Sequence, residues 1–419
     1  MSDDFRGLGL VPPPPLRGVE ANTFAHSSVA IRLPNIGRRT LEENHFPAQV
    51  SDKIVALIEE IPYTQIRLLE DSGAPDSDDW QGYLTPCLDQ NWLQVPWFFA
   101  EAYFYRRILE ATGYFLPGEG MGIDPFSLQK RLSLEKTQEA TKILASFLSD
   151  AQPADLLNQA GWQTSGVSHF LSAALWGNQV DLSMWPISKG REPIQTDLGQ
   201  QQDHLLVDSR QTVLNYIEKN KSLGRMDIIV DNAGFELVCD LCLADFLLSS
   251  STAKKVLFHL KAHPTFVSDA TLLDINRTIG FLVHHQDTSI HSLGSRLHSY
   301  IEQGRILLKD HFFWNSPLPL WEAPTLLAQE ISQSDLVISK GDANYRRLLG
   351  DRHWPFTTAF TDVLAYLPVP LLALRSLKSE VITGLTPDQP EELNQKDSQW
   401  LVNGRWGIIQ FHNPKESLS

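Results

Sequence analysis

The pattern of apolar and polar positions changes near residue 200. Before that point apolar residues recur at helical spacing, as in Asp52–Glu60 and in the strongly aromatic stretch Asn91–Glu110. After it, short apolar runs alternate with helical segments; the runs are HLLVD, MDIIV, KVLFHL, RILLK, LVISK and PVPLLALR, which start at residues 204, 226, 255, 305, 336 and 368. This alternation predicts an α/β fold, with a mostly parallel sheet covered by helices on both faces.

Two other stretches have distinct local patterns. The segment Asp71–Asp79, DSGAPDSDD, is rich in turn formers and predicts a polar loop. The tail WLVNGRWGIIQF, from Trp400, has an Asn-Gly pair between apolar arms. It predicts a hairpin, with an antiparallel sheet edge as one arrangement. The proline run VPPPP, from Val11, predicts an extended arm that lies on the surface or leads into the first helices.

Composition narrows the class of function. The formal net charge is −15, from 35 basic and 50 acidic residues. An acidic chain without a basic cluster is a poor candidate for binding nucleic acid or an anionic membrane surface. The N-terminus has no basic-then-apolar signal, and no run of about 18 apolar residues is present. We therefore expect a cytoplasmic protein that acts on a small molecule; the sequence does not indicate its oligomeric state.

The cysteine and histidine patterns give little indication of a metal site or of redox chemistry. Cys239 and Cys242 form a CxxC pair that could bind zinc or act in redox chemistry. The pair lies in an apolar segment without a second CxxC, so we interpret both residues as core side chains. His284-His285 has no ligand spacing and predicts a structural or exposed pair. Arg106 and Arg107 could reach an anion, but the pattern favours a solvated helix end.

The segment Met226–Leu237, MDIIVDNAGFEL, carries the strongest candidate chemistry. Its apolar run is typical of a strand that is buried on both faces of a parallel sheet. The run ends in Asp231-Asn232, with Glu236 just beyond, where open α/β sheets bind ligands. Carboxylate and amide oxygens suit a divalent cation. The alternative is that Asp231-Asn232 only caps the following helix.

Asp269 follows the next strand along the chain. Because the carboxyl ends of parallel strands meet at one edge, Asp231, Asn232 and Asp269 could converge there. Two carboxylates and one amide oxygen leave coordination positions open for water and for a substrate oxygen. This arrangement predicts a metal-assisted hydrolase.

Two later segments predict an anion site. In ISKGDANYRRLLGD, a strand leads through Lys340-Gly341 into a helix that begins near Asp342. The free N–H groups of a helix start attract phosphate, and Lys340 and Arg346 could supply charge. The spacing fits neither a Walker A loop nor a GxGxxG fingerprint. Arg375 and Lys378, three residues apart, can point to one side of a helical turn and hold an anion.

Several of these motifs together resemble a known family. DNAGFEL, FVSD, KGDANYR and RSLK, with WFFAEAYFYRRI and LWGNQVDLS upstream, are similar to the signature set of the damage-control phosphatases, once called the domain of unknown function eighty-nine, and to its third subfamily in particular. The resemblance covers most of the chain. It implies a helical N-terminal domain, residues 1–200, and a Rossmann-like α/β/α sandwich with phosphatase activity, residues 201–419.

The resemblance also implies a cofactor, a substrate and a site. The cofactor would be a divalent metal, Mn²⁺, Co²⁺ or Ni²⁺, or alternatively Mg²⁺, bound by Asp231, Asn232 and Asp269 as metal ligands and catalytic residues. The reaction would be hydrolysis of sugar phosphates such as fructose 1-phosphate and fructose 6-phosphate. The residues expected to contact the substrate are Asp231, Asn232, Glu236, Asp269, Asp342, Ala343, Asn344, Tyr345, Arg346, Arg375 and Lys378.

Some features leave alternatives open. Ala343 and Ser376 differ from the usual family residues, Leu and Thr, which puts substrate preference in doubt. A protein-glutamate carboxyl methyltransferase that uses S-adenosylmethionine is an alternative, although no Gly-rich first loop for that cofactor is present. A non-catalytic metabolite-binding protein is another. Asn178 and Asp181 could line a cleft, but a helix end closed by Gly177 explains the same pattern.

Overall fold

A computed structural model describes residues 9–150, 162–177 and 203–415. The predicted boundary between residues 200 and 201 lies outside these ranges, as do Asn178 and Asp181. The division into two domains therefore stays a prediction.

The described part of the chain contains a seven-stranded sheet in the order β1-β7-β6-β5-β2-β3-β4. Its strands are β1 Leu205–Asp208, β2 Leu223–Ile229, β3 Ala253–Lys261, β4 Ile306–His311, β5 Leu336–Lys340, β6 Leu371–Ser376 and β7 Gly407–His412. Every neighbouring pair is parallel except β6 with β7. The predicted α/β class and mostly parallel sheet are confirmed.

Helices pack around this sheet and precede it along the chain. Those of the described ranges are α1 Phe24–Ser27, α2 Leu33–Glu43, α3 Ala48–Glu60, α4 Ser77–Leu84, α5 Trp97–Thr112, α6 Ser127–Lys136, α7 Gln138–Asp150, α8 Trp162–Trp176, α9 Arg210–Lys219, α10 Phe235–Ser249, α11 Leu272–Val283, α12 Thr288–Glu302, α13 Thr325–Ile331, α14 Gly341–Leu349, α15 Phe360–Val363 and α16 Gln389–Lys396. A π-helical stretch, Ser28–Arg32, leads into α2; short 3₁₀ turns cover Thr85–Cys87, Phe312–Asn315 and Leu320–Glu322.

The two faces of the sheet bury different apolar clusters. One cluster joins the side chains of Ile229 and Val337 to aromatic residues of α5 such as Trp97 and Phe104. The other joins Ile228 and neighbouring strands to α8 and α10. Cys239 and Cys242 are buried there as free thiols, which confirms that they are core residues. The strands are nearly continuous apolar runs because both faces are covered.

The aromatic helix begins later than the sequence predicted. Residues 91–96 are not helical, and α5 starts at Trp97 after Pro96. The Asn91 Oδ1 atom accepts hydrogen bonds from the backbone N–H groups of Leu93 and Gln94. Such a local Asn turn competes with helix formation, and proline is tolerated at a helix start rather than inside it.

The prediction that Arg106 and Arg107 form a solvated helix end is wrong. Both side chains are buried. Arg106 pairs with Asp71 and Asp76 at 2.8 and 2.9 Å, and Arg107 pairs with Glu60 at 2.9 Å. The polar segment Asp71–Asp79 therefore supplies buried carboxylates, and its last residues already belong to α4. Charged residues are buried this deeply only when they are paired.

The tail does not form the predicted hairpin. Residues 400–404 form turns, and β7 lies inside the sheet between β1 and β6. Asp397 accepts hydrogen bonds from the side chains of Asn403 and Trp406, and Trp400 is buried. These contacts hold the first apolar arm in the core instead of pairing it with β7. The prediction of an antiparallel strand is correct, but this strand is not an edge.

The remaining local predictions agree with the structure. The arm around the proline run is extended: Leu16 is buried, and Pro15 pairs with Arg352 in an isolated bridge. His284 ends α11, and His285 accepts or donates a hydrogen bond at an exposed position with Gln138. Neither histidine takes part in the site described next.

Candidate metal and phosphate site

The structure brings the ends of β2 and β3 together. Asp231 and Asn232 follow β2, and Asp269 follows β3 after a short loop. The backbone N–H of Ala270 donates to the Asp231 carbonyl at 2.8 Å, and that of Ala233 donates to the Ser268 carbonyl at 2.7 Å. An isolated antiparallel bridge between Asn232 and Asp269 results. The predicted convergence of these three residues is therefore a feature of the backbone itself.

Hydrogen bonds orient the Asn232 amide. Its Nδ2 atom donates to Asp231 Oδ2 at 3.0 Å and to Glu236 Oε2 at 2.9 Å. Its Oδ1 atom accepts a hydrogen bond from the Ser268 hydroxyl at 2.5 Å. The amide nitrogen thus faces the two carboxylates, and the amide oxygen faces away from them. Since a carbonyl oxygen has two lone pairs, one remains for a further ligand.

The carboxylates at this site repel one another. Burial, with the nearby carboxylates of Glu236 and Asp269, raises the pKa of Asp231 well above its usual range. Burial also raises the pKa of Asp269 to about 6, against the attraction of Lys261. The Lys261 Nζ atom lies 3.3 Å from Asp269 Oδ2, and that oxygen has no well-oriented hydrogen bond. Buried acids with an unsatisfied oxygen favour an additional cation.

The donor set fits a divalent metal ion. Two carboxylates and one amide provide the hard oxygen ligands that such cations take. Across residues 9–150, 162–177 and 203–415, no three His, Cys, Asp or Glu side chains form a metal-binding group. Asp231 and Asp269 supply only two carboxylates, so a site with three protein ligands also needs the amide oxygen of Asn232.

Gly341 lets the start of α14 approach Asp231. Its φ angle is +82°, and an ideal Cβ at this position would lie 1.8 Å from Asp231 Oδ2. The glycine is therefore required by both its backbone conformation and the close packing of the carboxylate. A helix start beside this site adds positive potential where an anion would bind.

The charged side chains near α14 are mostly engaged inside the protein. Lys340 is buried and pairs with Asp240 at 2.9 Å and with Glu236 at 3.4 Å. Arg346 pairs with Asp351 at 2.7 Å and with Glu101, and its guanidinium lies over the Trp97 ring. Lys340 and Arg346, which the sequence suggested as positive charges for a phosphate, are thus both held by internal carboxylates.

The other residues predicted to contact the substrate are similarly held. Asp342 Oδ1 accepts hydrogen bonds from Arg375 Nε at 2.7 Å and from the Lys378 backbone at 3.1 Å. Asn344 donates to the backbone carbonyls of Val230 and Lys340, and Tyr345 donates to Gln410. Ala343 is half-buried and has no polar side-chain group. These contacts fix the segment that follows Gly341.

Lys378 differs from these cations. Its side chain is half-buried, and among the described residues its ammonium group has no ion-pair partner. Its positive charge nevertheless acts on Asp231, where it opposes the rise in pKa that burial and the neighbouring carboxylates cause. Of the predicted basic residues, Lys378 is therefore the one whose charge remains available beside the acidic cluster.

A cavity of about 620 Å³ opens at Asn232. Ser268 and Phe266 line it from the β3 side, and Lys130 and Ser133 line it from α6. The remaining side of the cavity comes from the N-terminal helical segment, with Ile31, Arg32, Asn35, Ile36 and Arg39 among its residues. The sequence contains no signal that indicates Arg32, Asn35 and Arg39, because polar residues on one side of a helix match an ordinary solvent-facing surface.

The loop before Asp269 has an unusual backbone. Phe266 and Val267 have φ angles of +48° and +67°, although neither is glycine. The Ser268 N–H donates to the Phe266 carbonyl at 2.9 Å, which closes a γ-turn. The Phe266 ring stacks on Phe98 with centroids 5.7 Å apart. This packing holds a strained conformation that places Ser268 and Asp269 at the site.

Comparison with known proteins identifies relatives along most of the chain. Residues 28–393 match the family model described as the damage-control phosphatase ARMT1-like domain. The chain is similar to the damage-control phosphatase ARMT1 of Danio rerio, with 32% identity over 97% of this chain and 98% of that protein. The Mus musculus protein of that name is 36% identical over 78% of this chain and 76% of its own length. The human one is 30% identical over 96% and 99%.

Among solved structures, the chain is similar to a DUF89 family protein from Pyrococcus horikoshii. The match has a TM-score of 0.47 and 14% sequence identity, and it covers 90% of this chain and 95% of that one. The candidate site residues from Asp231 to Lys378 all lie within the range matched by the family model.

Proposed function

This chain belongs to the ARMT1-like damage-control phosphatase family, and from that premise we propose that it is a metal-dependent phosphatase of sugar phosphates, with fructose 1-phosphate and fructose 6-phosphate as substrates. The observation that supports this most is the meeting of Asp231 and Asp269 around the Asn232 amide. Buried carboxylates from two strand ends, next to an available lysine, suit a cation and a phosphate together.

Asp231, Asn232 and Asp269 are the residues proposed to hold the metal, which would be Mn²⁺, Co²⁺, Ni²⁺ or Mg²⁺. When bound, such an ion supplies positive charge to the phosphoryl group and lowers the pKa of a water molecule. Asp231 and Glu236 fix the Asn232 amide through its nitrogen, so the amide oxygen, which faces away from them, would have to exchange places with the nitrogen to meet a metal held by Asp231. Glu236 is itself held by Lys340, so its contacts support an orienting role.

The phosphate would be held on the side of the site formed by α14 and Lys378. The start of α14 lies against Asp231, and Lys378 brings a positive charge to the same region. Because Arg346 and Arg375 are held by carboxylates, the segment from Asp342 to Arg346 is proposed to contact substrate mainly through its backbone. Positioning and charge stabilisation of this kind account for most of the catalysis of phosphoryl transfer.

The cavity wall would exclude bulk water from the phosphoryl group. Phe266 and Val267 form part of this wall next to Ser268. A site with less water strengthens the interaction between Lys378 and a phosphate, because the local dielectric is lower.

The proposed setting is the cytoplasm, with a small phosphorylated metabolite as the partner. The three cysteines are free and buried, which is consistent with a reducing compartment. Across the described ranges, no helix has both the length and the apolar character needed to cross a bilayer.

A phosphate-release assay over a panel of sugar phosphates, with each divalent metal in turn, tests this proposal. We expect Asp231→Ala to lower kcat/KM by more than about a hundredfold, since it removes a metal ligand. Asp310→Ala, at an exposed acid on β4, is the control and should retain the wild-type rate.

Two results would contradict the proposal. One is a wild-type rate in Asp231→Ala, which would remove this residue from the metal site. The other is micromolar binding of S-adenosylmethionine by calorimetry together with no metal-dependent phosphate release, which would favour the methyltransferase. Folding of each variant is checked by its thermal unfolding transition.

A further inference from the structure

The cavity at Asn232 has a cationic side that the proposed mechanism does not use. Arg32 and Arg39, here called the rim arginines, line it from the N-terminal helical segment. With Asn35, they occur at i, i+3 and i+7, which places them on one face of a continuous helical stretch. Arg38 lies next to Arg39 in sequence but does not line the cavity.

The rim arginines are weakly paired. Arg32 Nη1 lies 3.6 Å from Glu101 Oε1, and Arg39 Nε lies 3.7 Å from Glu43 Oε1. Their side chains remain 54% and 45% exposed. Glu101 and Glu43 are 3% and 16% exposed, but the distances are long and both arginines are exposed to solvent, so each pair contributes little energy.

The carboxylates near the rim arginines have other partners. Glu101 receives a hydrogen bond from Ser28 at 3.1 Å and pairs with the buried Arg346. Glu43 receives a hydrogen bond from the Gln129 amide. Most N–H donors of both rim arginines are therefore free to bind a group that enters the cavity.

We propose that the rim arginines form a second anion subsite, which selects sugar phosphates that carry another acidic group. The hydrolysed phosphate would lie at the Asp231 side, and the second group, a phosphate or a carboxylate, would bind the rim. A guanidinium matches both groups because its N–H donors form a planar fork. This inference rests on the proposed phosphatase function, and it specifies the substrate class.

The test measures kcat/KM of the full-length protein with Mn²⁺ on substrates that carry one acidic group and on substrates that carry two. The probes are fructose 1-phosphate, fructose 1,6-bisphosphate and 6-phosphogluconate. For Arg32→Gln/Arg39→Gln, we expect kcat/KM to fall at least about tenfold on the two probes with a second acidic group, and less than about threefold on fructose 1-phosphate. Arg38→Gln is the matched control on the same helix and should not change kcat/KM on any of the three probes.

Charge-retaining variants check the chemistry of the subsite. Arg32→Lys/Arg39→Lys should recover part of the loss, because a point charge still attracts the second acidic group. An equal loss on all three probes, or no loss on any, would overturn the subsite. Phosphate release from fructose 1-phosphate by the wild-type protein would still support the phosphatase proposal.

A binding measurement separates this inference from the proposed function. If the wild-type protein releases no phosphate from any probe, the phosphatase proposal fails. Calorimetry with fructose 1,6-bisphosphate then still decides the subsite. Binding that weakens at least about tenfold in the Gln variant supports it, and binding that is unchanged overturns it.

Discussion

Gly341 and Asp231 illustrate how single residues define the site. The sequence predicted a functional site at this strand end, because an acid and an amide directly after a buried apolar run are unusual. The sequence did not show whether the arginines are paired with carboxylates. Arg346 and Arg375 look available in the sequence, yet Glu101 and Asp342 pair with them from distant segments, and Asp351 pairs with Arg346 from just beyond the end of α14. Only the tertiary structure shows which charges are already satisfied.

At this scale we predict that Gly341→Ala impairs the site without unfolding the protein. The added methyl group would meet Asp231 Oδ2, and the positive φ angle adds strain of roughly 1 kcal/mol. Asp231 must then move, so both Mn²⁺ affinity by calorimetry and kcat/KM should fall at least about tenfold.

Gly280→Ala is the matched control for this substitution. Gly280 lies within α11, and a Cβ there meets no atom within 4 Å. Alanine should keep full activity and raise the free energy of unfolding by about 0.5–1 kcal/mol, because glycine disfavours a helix interior. Unchanged Mn²⁺ affinity in Gly341→Ala would show that the close packing at Asp231 does not matter.

At the scale of elements, the sequence predicted strands better than helix ends. The strands after residue 200 are apolar runs bounded by polar residues, and six of them match the structure closely. The starts of α4 and α5 were missed because Asp76 and Asn91 make local or buried contacts that the pattern does not contain. The tail was misplaced because Asp397 binds side chains nine or fewer residues away.

His263 connects two of these elements and should make stability depend on pH. It follows β3, is buried, and has its Nε2 atom 3.7 Å from Asp76 Oδ2 in the loop before α4. Burial lowers the pKa of His263 to about 4, below its ordinary value of about 6.5.

The unfolded chain therefore binds the His263 proton more readily between pH 6.5 and 4. The contribution of this residue to the free energy of unfolding should fall over that window as pH is lowered, by up to about 1.4 kcal/mol per pH unit. His263→Gln should flatten this part of the curve measured by urea unfolding. The control is His298→Gln, at an exposed position, which should leave the curve unchanged. An identical pH curve for the wild type and His263→Gln would contradict the prediction.

At the scale of the whole molecule, a buried charge cluster ties the N-terminal helices to the α/β part. Arg346 of α14 pairs with Glu101 of α5 and stacks on Trp97. Its second carboxylate partner, Asp351, also accepts a hydrogen bond from the Phe98 backbone. The sequence predicted both parts but not this junction, since its members are separated by some 245 residues.

We predict that Arg346→Met destabilises the protein by about 3–5 kcal/mol, because two buried carboxylates lose their common partner. The free energy of unfolding in urea measures this. Arg38→Met, at an exposed arginine bonded only to Asn35 among the described residues, should change it by less than about 0.5 kcal/mol. A wild-type free energy for Arg346→Met would mean that the cluster does not join the two parts.

The position of a bound metal ion tests the proposed site most directly. Crystals of the full-length protein soaked in Mn²⁺ would locate the ion by its anomalous scattering. We predict one ion bound by oxygen atoms of Asp231, Asn232 and Asp269, next to the start of α14. An ion bound elsewhere, with Asp231 and Asp269 too far apart to share it, would contradict the site and the function built on it.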